Sequence, residues 1–137
     1  MKPFSRFQTE IRVRPDDVDM NNHVHFTKYL DYVLAARYDQ MENNYKFPMD
    51  EFVKSGLTWV VSKTTIEYKR SLVMGDVALV ETGIHSYSGS NCIVDFVIYN
   101  KKTNKIVAKG DFFYTLISTT TGRPVKLTDD IISRYSV

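Results

Sequence analysis

A chain of 137 residues fits one domain, and with 43% hydrophobic and 13% aromatic residues it can bury a real core. Its 18 Lys and Arg against 16 Asp and Glu leave a formal charge of +2, which argues against a dedicated nucleic-acid binder and against disorder. The single cysteine, Cys92, excludes an intramolecular disulfide framework and a multi-Cys zinc site.

No stretch reads as a signal peptide, and no apolar run approaches the ~18 residues of a membrane span. A soluble, cytoplasmic protein is the expectation. Phe7 to Val13 reads as a short strand ended by Pro15, since proline cannot donate to a ladder. A polar loop follows, with Asp16, Asp17, Asp19, Asn21 and Asn22, residue types that bond nearby backbone in turns and caps.

From Thr27 to Asn44 the pattern is helical. Leu30, Val33, Leu34 and Met41 follow three-and-four spacing, and Tyr29, Tyr32 and Ala36 widen the stripe. Because LDYVLAA is apolar on most sides, the helix is expected to be largely enclosed by the fold. Pro48 and the MDEFVKS stretch form a connector with room for one helical turn.

Four strands are then predicted, at Leu57–Arg70, Asp76–Ser86, Asn91–Asn100 and Lys105–Ser118. Turn chemistry separates them, at Met74-Gly75-Asp76, Ser88-Gly89-Ser90 and Lys101 to Asn104, with Thr121-Gly122-Arg123-Pro124 after the last. Short connections predict hairpins and an antiparallel sheet. Cys92 falls in an apolar strand and is expected to be buried. One long helix and one long antiparallel sheet make an α+β domain over residues 1–137. The first of these four strands would span roughly 45 Å at 3.3 Å per residue, so the sheet should curl around the helix.

The segment from Val13 to Leu30, with Asp17, Asp19, His23, His25, Phe26 and Tyr29, resembles the hotdog-fold acyl-CoA thioesterases of the 4-hydroxybenzoyl-CoA thioesterase-like group. Trp59-Val60-Val61, Ile66 to Ser71, Gly75-Asp76, Val80-Glu81-Thr82 and Thr121 to Val125 continue the resemblance from about Phe7 to Leu127. It implies a central helix wrapped by a curved antiparallel sheet. It also implies a homodimer or homotetramer with active sites between subunits, and an acyl-CoA substrate. No metal, cofactor, nucleic acid or membrane is expected.

Thioester hydrolysis needs a group that attacks or activates water, and a group that stabilises the oxyanion. The start of a helix offers unpaired N–H groups with partial positive charge. By the resemblance, Asp19 is the nucleophile or general base, and the Phe26 N–H, seven residues on, polarises the carbonyl. A helix cap or loop bond is the other reading of Asp19. His25 matches a residue that holds water or acts as an acid, and His23 matches a position used in another part of the family. Asp17 is read as structural, paired to Arg14 or Arg12. Asn22 stands where the family often has Gly, and Asn tolerates the left-handed backbone such a turn needs.

Lys63, Lys69 and Arg70 are candidates for the CoA phosphates. Tyr29, Tyr32, Trp59, Phe112 and Tyr114 are candidates for an acyl pocket, with core packing the alternative for each. Two other functions remain open: a non-catalytic acyl-CoA or acyl-carrier binding module, and a hotdog hydratase or dehydratase. The second has a motif like Asp-x-Asn-Pro-aliphatic-His, whereas Asp19-Met20-Asn21-Asn22-His23-Val24 lacks the Pro and has Val24 where that His should be.

Overall fold

Five strands, β1 (Phe7–Arg12), β2 (Leu57–Tyr68), β3 (Val77–Ser88), β4 (Asn91–Asn100) and β5 (Ile106–Ser118), form one antiparallel sheet in the order β1-β3-β4-β5-β2. The structure, a computed structural model, describes residues 4–135. A 3-10 turn at Pro15–Asp17 precedes α1 (Lys28–Asn43), and two short helices follow, α2 (Met49–Lys54) and α3 (Asp129–Arg134). The α+β hotdog architecture expected from the sequence is the one observed.

The alternating burial of β3 and β4 explains why they are strands: Ala78, Val80, Thr82 and Ile84, then Cys92, Val94, Phe96 and Ile98, all point to one buried face. Helix α1 lies against that face. Val33 and Ala36 are fully buried and pack with Val80, Phe96, Ile98 and Phe112. Each buried Val or Ile contributes about 1.5–3 kcal/mol. A second cluster, around Met41, Tyr45, Phe52, Leu116 and Tyr135, fills the other end of the helix.

Three expectations change. The segment between β2 and β3 is not a hairpin: β2 pairs with β5, and β3 pairs with β1 and β4. Its few residues carry the chain from one sheet edge toward the other, because the register is decided by long-range pairing and not by local turn chemistry. The helix is only partly enclosed, with Leu34 47% and Tyr38 55% exposed. Its buried stripe instead includes two polar residues, Arg37 and Gln40. Finally, α3 was not read from the sequence, although Thr128 caps it by accepting from the Ile131 N–H at 3.3 Å.

Strand β2 is an edge strand with no partner on its outer side among the described residues. It carries an irregularity between Val61 and Lys63, and Val60 and Val61 are exposed. Gly110 of β5 lets β2 approach closely: a Cβ there would stand 1.9 Å from the Thr65 carbonyl oxygen.

Candidate active site

The loop between the 3-10 turn and α1 is a small hairpin of its own. Val18 bridges Val24, and the Asp19 N–H donates to the His23 carbonyl at 2.9 Å. Asn22 takes φ 61°, the left-handed conformation its position was expected to need. Its side-chain oxygen accepts from the Met74 N–H at 3.2 Å, and Val24 donates to the Leu72 carbonyl at 2.8 Å. The segment before β3 therefore braces the loop from the side.

Asp19 sits at this tip, exposed. One carboxylate oxygen, Oδ1, accepts from the N–H groups of Asn21 at 2.9 Å and His23 at 3.1 Å. These two bonds hold its pKa below the ordinary carboxylate value, the His23 bond most, with smaller electrostatic help from the His23 and His25 side chains. The other oxygen, Oδ2, has no partner among the described residues.

Asp17 is buried, and Arg14 is bonded to it differently from what was expected. Asp17 Oδ2 accepts from the Tyr32 hydroxyl at 2.7 Å and from the Arg14 backbone N–H at 3.0 Å. The Arg14 guanidinium pairs with Asp16 at 3.2 Å, on the surface. A side chain as deep as Asp17 is better met by a buried phenol than by a solvated guanidinium. The Asp17 carbonyl in turn accepts from the His25 N–H at 2.8 Å.

At the entrance to α1, His25 Nδ1 lies 2.8 Å from Thr27 Oγ1, and its ring stacks on Phe26. The Phe26 N–H has no acceptor among the described residues. The Phe26 side chain is exposed, and its carbonyl accepts from the Tyr68 hydroxyl at 3.2 Å. The helix start thus presents an open amide a few residues after the Asp19 carboxylate.

The remaining candidates divide. Tyr29 is buried, with its hydroxyl accepting from the Leu72 N–H at 3.0 Å, so it braces the loop from within the core. Tyr32 and Phe112 are likewise core residues. Lys69 pairs with Glu67 at 2.9 Å, Arg70 donates to the Ile106 carbonyl at 3.0 Å, and Lys63 lies over the Phe113 ring. Five positions of strand, roughly 17 Å, separate Lys63 from the end of β2 at Tyr68, and Lys69 and Arg70 lie beyond that end, so the three do not form one phosphate cluster.

Trp59 and Tyr114 line a cavity of about 200 Å³ between α1 and the sheet, together with Leu34, Arg37, Tyr38, Met41, Met49, Ile84, Cys92, Val94 and Tyr135. Burial pushes the Cys92 thiol up to about 11, so it is an inert wall residue at neutral pH. Arg37, 7% exposed, is anchored by Nη1, which donates to Thr82 Oγ1 at 3.2 Å and to the Tyr45 hydroxyl at 3.4 Å. Thr82 donates to Gln40, and Gln40 donates to Thr9 at 2.9 Å and to the Val80 carbonyl at 3.3 Å. Sequence reasoning missed Arg37 and Gln40. The signal was there: both continue the three-and-four spacing from Val33 and Ala36 to Met41.

A family model described as the thioesterase-like superfamily matches residues 13–134. The long-chain acyl-CoA thioesterase FadM of Escherichia coli (strain K12) is 26% identical over 124 residues, covering 90% of this chain and 92% of its own. The putative acyl-CoA thioesterase YneP of Bacillus subtilis (strain 168) is 30% identical over 91 residues, 66% of this chain and 65% of its own. Among solved structures, a DHNA-CoA thioesterase from Staphylococcus aureus aligns with a TM-score of 0.85 at 23% identity, covering 96% of this chain and 89% of that one. Slr0204, a 1,4-dihydroxy-2-naphthoyl-CoA thioesterase from Synechocystis, gives 0.86 at 17% identity, covering 96% of both. At these identities the structural likeness establishes the fold.

Proposed function

The chain belongs to the thioesterase-like superfamily and is a thioester hydrolase, and from that premise we propose that it cleaves acyl-CoA, with Asp19 delivering the attack and the Phe26 N–H polarising the carbonyl. The observation that carries this reading is the division of labour within one carboxylate. Oδ1 is held by two backbone N–H groups while Oδ2 is left open, seven residues before an amide that is also open.

The thioester carbonyl oxygen faces the Phe26 N–H, where the partial positive charge of the helix start favours the oxyanion. Asp19 Oδ2 adds to the carbonyl carbon, the C–S bond breaks, and the CoA thiolate leaves and takes a proton. Water then cleaves the acyl–aspartyl anhydride, giving the free acid and restoring the carboxylate. The two N–H donors on Oδ1 favour the ionised carboxylate that either role, nucleophile or general base, requires. His25, stacked on Phe26, is positioned to hold the attacking water or the departing sulfur's proton; His23 borders the same loop.

A homodimer or homotetramer completes the reading. Met20, Phe26, Tyr68 and Met74 are all exposed around the loop, and β2 offers an unpaired edge. A second copy would cover both. Lys63, Lys69 and Arg70 contribute to CoA binding as separate points of positive charge along β2 and its continuation, and Trp59 serves the acyl cavity.

The test is thiol release over a panel of acyl-CoA substrates, with Asp19→Asn as control. Wild type should turn over part of the panel, and Asp19→Asn should lose about 10²–10⁴ in rate. A fully active variant would remove Asp19 from the chemistry. A wild type inert on the whole panel would favour a non-catalytic binding module.

A further inference from the structure

We propose that Arg37 reads the far end of the acyl group, and that the preferred substrates carry a carboxylate there. The inference rests on the thioesterase reading and adds the substrate class.

Arg37 is a buried cation with no acidic partner among the described residues, whose ion pairs are all made by other side chains; its guanidinium lies over the rings of Tyr45 at 5.0 Å and Tyr135 at 5.6 Å, which offset part of the charge without neutralising it. Burying an unpaired charge is unfavourable, so such a group is expected to have a counter-ion in its working state. Its fork is only half used. Nη1 donates to Thr82 and Tyr45, whereas Nε and Nη2 have no acceptor among the described residues. Among the described residues no side-chain nitrogen or oxygen is both sealed and unbonded. The unbonded N–H groups of Arg37 are therefore not sealed, and Arg37 is one of the residues that line the cavity. Two free donors in a planar fork match a carboxylate.

The cavity is otherwise walled by apolar and aromatic side chains. At ~30 Å³ per water-sized group, its volume holds about six or seven such groups. That suits the terminal segment of a chain, not a whole CoA ester. A path leads to it. Leu30, Leu34 and Tyr38 recur every fourth residue, one row along α1, which starts two residues after Phe26, and Leu34 and Tyr38 are exposed and line the cavity. Arg37 stands nine positions along α1 from Lys28, roughly 14 Å, and Phe26 lies two residues before that start, so the chain is of medium length.

The experiment compares kcat/KM of the full chain for dodecanoyl-CoA, ω-hydroxydodecanoyl-CoA and ω-carboxydodecanoyl-CoA. Wild type should favour the ω-carboxy ester over the unsubstituted one by about 10- to 100-fold, the range of a charge-assisted hydrogen bond, with the hydroxy ester between. Arg37→Gln, which keeps a donor toward Thr82 but no charge, should lose the preference. Equal or inverted preference in wild type overturns the proposal without any variant. Preference that survives Arg37→Gln overturns it too. Should Arg37→Gln not fold, Arg37→Lys replaces it and should show a reduced preference. Should none of the esters be cleaved, thermal unfolding with octanoate against octanol decides. Stabilisation by the anion alone, lost without Arg37, sustains the anion site while the hydrolase reading falls; equal shifts end both.

Discussion

The Tyr32 hydroxyl donates to the buried Asp17 carboxylate at 2.7 Å, tying the first turns of α1 to the loop that carries Asp19. The phenol pKa is raised by burial first and by this carboxylate second, so the donor keeps its proton across the working pH range. Tyr32→Phe removes one donor from a buried anion and should cost about 1.5–3 kcal/mol, measured by urea unfolding. Asp17→Ala leaves both the phenol and the Arg14 N–H unmet and should cost at least as much. A Tyr32→Phe protein as stable as wild type would mean that water replaces the phenol.

Acid tolerance should follow from Asp19. Its two N–H donors favour the anion, so the folded pKa lies below the ordinary 3.8. The group stays charged as pH falls toward that value, and the benefit of those bonds is lost only as pH drops through the folded pKa. The acid limb of kcat/KM contributed by Asp19 should therefore have its midpoint below 3.8. A limb centred near the ordinary His value of about 6.5, abolished by His25→Gln, would place the controlling titration on His25 instead.

Single turnover in oxygen-18 water separates the two roles of a carboxylate. Direct attack by Asp19, followed by water at the aspartyl carbon, deposits the label on Asp19. Peptide mass spectrometry should find it there. Label confined to the released acid would place water's attack on the acyl carbon, as a base mechanism requires and as opening of the anhydride on its acyl side also gives.

Two glycines should respond to alanine by different amounts. At Gly110 the new Cβ meets the rigid Thr65 backbone at 1.9 Å, so β2 must shift and the cost should be about 3 kcal/mol, at the upper end for overpacking. At Gly83 the nearest atoms belong to the Arg6 side chain, which crosses the strand to pair with Glu81 and Asp95. Displacing that surface chain should cost no more than about 1 kcal/mol. Thermal unfolding of both variants checks the contrast.

Local signals found the strands and α1 because their burial alternates with the periods of a strand and a helix. They also found the Asp19 loop, where short polar side chains cluster and Asn22 accepts a left-handed turn. Strand order was not legible. Residues 69–76 look like a hairpin connection, yet Ile66 pairs with Gly110 across the sheet. Such pairing is set by which surfaces bury best together, and no short window contains that. Arg37 was hidden for a different reason: a charge at a stripe position reads as solvent-facing until its neighbours are known to enclose it.

The bonds from Gln40 to Thr9 and Val80, with Thr82 donating back to Gln40, have a mechanical meaning. A helix held only by hydrocarbon can slide by a turn and find comparable packing. One keyed by buried amides cannot, because every slipped position strands a donor or acceptor in oil. From Lys28, two residues after Phe26, to Gln40 the helix is roughly 18 Å of nearly rigid rod. The position of the Phe26 amide along the sheet is thereby pinned from the helix's far end, and loosening that latch should misplace an amide it never touches.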